Sequence, residues 1–80
     1  MRIDKFLKVS RVIKRRTVAN EACDGGRVKI NGKSAKPSAD IKVGDMVEIS
    51  FGSGKVAFRV DSVAERASKE EASQMYTLVE

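Results

Sequence analysis

The chemistry in this chain is carried by its cations, which recur at a regular spacing. Arg2, Lys5, Lys8 and Arg11 come every three residues, and Lys14, Arg15 and Arg16 follow in an unbroken run. On a helix, three-residue spacing keeps side chains on neighbouring positions of one side, so several positive heads reach the same polyanion together. Arg27 and Lys29 add two more within the alternating pattern Arg-Val-Lys-Ile. Arg2 is the sharpest of these candidates from residue type alone, because a guanidinium fork holds a phosphate through two parallel bonds. The stretch from Val12 to Gly32, VIKRRTVANEACDGGRVKING, reads as a helix and a hairpin edge sharing one positive face.

Charge distribution supports the same chemistry. From Met1 to Lys42 there are twelve Lys and Arg against four Asp and Glu, a balance of +8, whereas Val43 to Glu80 carries four against seven, or −3. A generally basic, soluble surface does not usually segregate in this way, so the first half is the expected footprint on a nucleic acid.

The usual catalytic sets are missing. With no histidine and a single cysteine, Cys23, the chain has no zinc ligand set, no disulfide and no base to activate a thiolate. Asp4, Asp40 and Asp45 read as a helix-dipole partner and turn residues rather than as acid–base pairs. No cofactor, metal or small-molecule substrate is expected, and an enzyme is the weaker class. The longest apolar runs are two or three residues, so neither a membrane span nor a secretory leader is expected, and the lone cysteine suggests a reducing cytoplasmic setting.

The elements that must position these cations follow from periodicity. Ile3, Phe6 and Leu7 fall on one helical stripe, with Asp4 in the first turn and within pairing range of Lys8. Arg15 to Asp24 forms a second helix with Val18, Ala19, Ala22 and Cys23 on its apolar side, ended by Gly25-Gly26. Lys14, Arg15 and Arg16 then crowd a helix N-terminus, a place that already favours an anion. Val28 and Ile30 point inward from a short strand, Asn31-Gly32 signals a tight hairpin, and Lys33 to Ala35 returns until Pro37. Two longer strands follow, with Val47, Ile49 and Phe51 on one face of the first and Val56, Phe58 and Val60 on one face of the second. Ser68-Lys69-Glu70-Glu71 fits a capping box, and Ala72, Met75, Tyr76 and Val79 continue at helical spacing, so a C-terminal helix is expected to pack on the sheet. Tyr76 is either core or a base-stacking platform. Eighty residues make one small domain that buries roughly 60 to 65% of its unfolded surface.

Four segments in order resemble a known family. Arg2-Ile3-Asp4-Lys5-Phe6-Leu7, Lys14-Arg15-Arg16-Thr17, Gly26 to Gly32 and Lys42 to Val47 look like the alpha-L RNA-binding motif named for small-subunit ribosomal protein S-four. That motif also occurs in pseudouridine synthases, tyrosyl-tRNA synthetases and heat-shock protein fifteen. The resemblance covers about residues 1–50, and the added hairpin and C-terminal helix of residues 51–80 are similar to the compact stand-alone members, nearest the RqcP/YabO group related to heat-shock protein fifteen.

The resemblance implies an α+β fold, with two N-terminal helices packed on a small, mostly antiparallel sheet and a short C-terminal helix. It implies binding to ribosomal RNA and peptidyl-tRNA on the large ribosomal subunit, in support of an RqcH-type factor that extends stalled chains with alanine. By position, Arg2 and Arg16 would be the main RNA contacts. Lys8, Arg11, Lys14, Arg15, Arg27 and Lys29 would supplement them. The longer basic C-terminal extension of the heat-shock protein fifteen branch has no expected counterpart beyond Glu80.

Two other binding classes stay open at this level. A generic rRNA-binding assembly or RNA-chaperone module would carry the same motif, since fold does not fix role. A DNA-reading helix-turn-helix is disfavoured, because the second helix would offer Asn20, Glu21 and Asp24 to an anionic duplex.

Overall fold

The computed structural model describes residues 1–79. Two helices come first, α1 (Ile3–Val9) and α2 (Arg16–Asp24). Strands β1 (Val28–Ile30), β2 (Lys33–Ser34), β3 (Met46–Phe51) and β4 (Gly54–Val60) follow, then α3 (Lys69–Ser73) and β5 (Tyr76–Val79). The strands form one antiparallel sheet in the order β2-β1-β3-β4-β5.

The core lies where apolar positions of helix period meet those of strand period. Ile3, Phe6 and Leu7 of α1 and Ala19, Ala22 and Cys23 of α2 are buried against Val28, Val47, Ile49, Phe58 and Val60 of the sheet. The rings of Phe6 and Phe58 stack with centroids 6.1 Å apart, joining α1 directly to β4. The expected inward residues Val18 and Phe51 instead face solvent, at 46% and 44% exposure. Phe51 is the last residue of β3, paired with Gly54 at the end of the β3–β4 hairpin.

Turn chemistry fixes the hairpin as its residues require. Asn31 and Gly32 take φ of 52° and 85°, the paired positive values of a tight two-residue connection, and Lys33 pairs back on Ile30. The Asn31 side chain also accepts from the Met46 N–H at 3.0 Å and donates to Asp45 at 3.1 Å, tying the hairpin to the start of β3.

The N–H groups at the start of α1, which have no partner within the helix, are satisfied from a distant loop. Ile3 donates to the Ala39 carbonyl at 2.8 Å and Asp4 to that of Pro37 at 3.2 Å, while Arg2 bridges Asp40 as an isolated antiparallel pair. The N-terminal ammonium holds Asp40 at 2.6 Å. Arg2 therefore leaves a fixed stretch of backbone.

The C-terminal helix is shorter than its spacing predicts. The capping box forms as expected, with Glu71 N–H donating to Ser68 Oγ and Ser68 N–H to Glu71 Oε1, but the helix ends at Ser73. Tyr76 to Val79 become an edge strand paired with Ala57 to Val60. Without β5, one side of β4 would leave its N–H and C=O groups unpaired, and Tyr-Thr-Leu-Val is a good strand sequence to fill it. A helical period and a strand sequence coexist in this segment, and the non-local ladder prevails.

Candidate nucleic-acid interface

The site is built around a carboxylate that sequence alone reads as a dipole partner. Asp4 is 2% exposed, and it pairs with two arginines rather than with Lys8. Arg2 donates from Nε to Oδ1 at 3.2 Å and from Nη2 to Oδ2 at 3.1 Å, a two-bond fork. Arg16 donates from Nη2 to Oδ1 at 3.4 Å, and Asn20 from Nδ2 to Oδ2 at 3.5 Å. The Lys5 N–H adds a bond to Oδ1 at 2.8 Å. One buried anion of α1 thus gathers side chains from α2 and from the segment before α1, with a backbone N–H of α1 itself.

Electrostatics keep that anion charged. Burial by itself pushes the Asp4 carboxyl up, but hydrogen bonds from Arg16 and Arg2, the Arg16 charge and the Asn20 amide outweigh it and leave the pKa below the ordinary aspartate value. The two arginine side chains stay half-exposed, at 50% and 47%. They line a cleft of about 440 Å³ together with Thr17, Asn20 and Glu21. At the head of α2, Arg15 is the N-cap residue, supplies no side-chain cap, and has no acidic residue in the turn it opens. The first N–H groups of a helix have no intrahelical partner, so this end of α2 favours an anion.

The other sequence candidates are distributed more widely than one shared face. Lys5 is ion-paired with Glu65. Lys8, Arg11 and Lys14 line a separate hollow of about 370 Å³ at the C-terminal end of α1. Arg27 immediately precedes β1, and its N–H donates to the Ala22 carbonyl at the end of α2. Lys29 is exposed between buried Val28 and half-buried Ile30, in register with Ser34 and Glu48, so it points away from the helix-covered face. Arg2 and Arg16 are thus brought together, while Lys29 is carried to the opposite side of the sheet. Asp4 and Asn20 are the site residues that sequence reasoning missed. The one available signal was an acid spaced between Arg2 and Lys5 in an otherwise basic run, whose partner twelve residues away only the fold reveals.

Cys23 has no part in this chemistry. Burial, followed by the charges of Asp4 and Asp24, pushes its thiol up to about 11. It packs as a small apolar side chain.

Two short helices that converge on a buried acid, presenting paired arginines beside a small antiparallel sheet, define a compact polyanion-binding α+β module. The S4 domain model matches residues 1–47, and the chain belongs to the S4 domain family. It is 52% identical over 79 residues to the RQC P-site tRNA stabilizing factor of Bacillus subtilis (strain 168), covering 99% of this chain and 92% of that protein. A protein of the same name from Streptococcus pneumoniae (strain ATCC BAA-255 / R6) is also 52% identical, with 99% and 90% covered. Among solved structures, the trimeric Vibrio cholerae Heat Shock Protein 15 superposes with a TM-score of 0.90 at 29% identity, covering 99% of this chain and 81% of that one. The expected α+β class and the resemblance to the alpha-L group are both borne out, with the short C-terminal helix ending at Ser73 and the residues after it forming a strand instead.

Proposed function

We propose that this chain binds ribosomal RNA on the large subunit and steadies the tRNA held there during ribosome-associated quality control. The relatives named as P-site tRNA stabilizing factors support that reading, since they align over almost the whole chain. In this role it partners an RqcH-type factor while that factor adds alanine to the stalled chain. Residues 1–80 act as one RNA-binding unit with no chemical step of their own.

The observation that carries the reading is the Arg2–Asp4–Arg16 cluster. A-form RNA hides its base edges in a narrow major groove, so a small rigid module recognises the positions of phosphates and 2′-hydroxyls. Asp4 serves that task by holding two guanidiniums in place before the ligand arrives, so less side-chain freedom is lost on binding. Arg15 and Arg27 add weaker, less directional attraction.

Binding of the purified chain to large ribosomal subunits, measured across a salt series, tests the assignment. Arg16→Ala should weaken binding and reduce the slope of log affinity against log salt by about one unit. An unchanged slope would remove Arg16 from the interface.

A further inference from the structure

A second hollow, larger than the arginine cleft, lies elsewhere on the molecule. This hollow, of about 520 Å³, lies between the end of α1 and α3, where Ser10 and Arg11 face Lys69, Glu70, Ser73 and Tyr76. Arg11 also lines two adjoining hollows, one with Lys8, Glu65 and Arg66 and another with Lys8 and Lys14. None of these hollows shares a lining residue with the cleft of Arg2, Asp4 and Arg16.

Charge and backbone both distinguish this second surface. Lys8, Arg11, Lys14, Arg66 and Lys69 are exposed, and none makes an ion pair among the described residues. Two carboxylates accompany them, and Glu65 is already engaged by Lys5. Arg11 has φ of 64°, at the position just past a helix end where glycine is the usual residue. A side chain there costs backbone strain, and such outliers persist where the side chain has a use. Tyr76 presents a half-buried ring, braced against Phe58 at a centroid distance of 5.2 Å.

We infer that the Arg11 surface is a second RNA site, one that takes a single-stranded segment, with phosphates along Lys8, Arg11, Lys14 and Lys69 and one unstacked base on Tyr76. The ligand class rests on the RNA-binding reading above. A cleft of this size, with an aromatic ring between cations, suits a nucleotide freed from a helix. A flat acidic protein surface would leave the ring and the hollow unfilled. With the arginine cleft on a folded element, the chain would join two RNA segments through one rigid body, as a factor that steadies one RNA against another requires.

Fluorescence anisotropy with a labelled eight-nucleotide uridine oligomer and a labelled RNA hairpin tests this on the full chain. Arg11→Gly is the informative variant, since it removes the cation while relieving the backbone, so a loss of binding does not come from unfolding. It should reduce the salt slope for the oligomer by about 0.7 and leave hairpin binding unchanged. Tyr76→Leu should weaken oligomer binding by about tenfold, and Tyr76→Phe should restore it. Oligomer binding that ignores Arg11→Gly and the Tyr76 variants, while the hairpin still responds to Arg16→Ala, would overturn the second site and spare the first. Hairpin binding indifferent to Arg16→Ala, with the oligomer responding to Arg11→Gly, would overturn the first and support the second.

Discussion

At the scale of single residues, one buried carboxylate organises the site. Asp4 takes hydrogen bonds from two guanidiniums, an amide and a backbone N–H. Asp4→Asn keeps the shape but removes the charge, and should cost about 1 to 2 kcal/mol of stability at neutral pH, measured by urea unfolding. The pH dependence follows from the direction of the shift. A carboxyl with its folded pKa below the unfolded value of about 3.9 contributes fully above that value, and the contribution is lost as pH falls through the lower folded pKa. The stability gap between native and Asp4→Asn chains should therefore close on acidification, and a gap constant from pH 6 to pH 2 would contradict the pairing. Cys23 gives an independent check at this scale. With its thiol pushed up to about 11 by burial, it should alkylate far more slowly at pH 7.5 than after denaturation in urea.

At the scale of elements, local signals succeeded where their partners were near in sequence. Asn31-Gly32 formed the hairpin turn, Ser68 and Glu71 formed their capping box, and Gly26 took φ of 75° beyond the end of α2. Gly26→Ala meets no neighbouring atom within 4 Å, so only the backbone cost applies, and thermal or urea unfolding should show a loss of about 1 kcal/mol. A neutral substitution would mean that this turn tolerates a different conformation. The segment Tyr76 to Val79 shows where local signals fail. Its apolar spacing fits a helix, yet the ladder with Ala57 to Val60 decides its state, and that ladder depends on a β4 edge left open by the rest of the sheet. Asp4 was misread for the same reason, since its partners Arg16 and Asn20 lie across the α1–α2 contact.

At the scale of the whole molecule, the charge segregation read from the sequence survives folding but divides. The first half does hold the arginine cleft, yet Arg66 and Lys69 from the acidic second half extend the hollows around Arg11, and Lys29 is turned to the other face of the sheet. Most of the core and the choice of Arg2 were legible, because each depends on residue type and short-range period, whereas Arg16 was singled out by the family resemblance, and Val18 and Phe51, expected inward, face solvent. The grouping of cations into surfaces was not, because it depends on how two helices and a five-stranded sheet are stacked. No helix among the described residues is long and apolar enough to cross a membrane.

The most direct measurement is to recover the tagged chain from its own cells beside an Arg16→Ala version, and to quantify co-purifying ribosomal subunits and tRNA by sequencing. The native chain should bring down large subunits carrying tRNA, and the variant should lose them. Enrichment of small subunits, assembly precursors or unrelated RNA, or recovery of the same large-subunit complex by both versions, would contradict the proposed role.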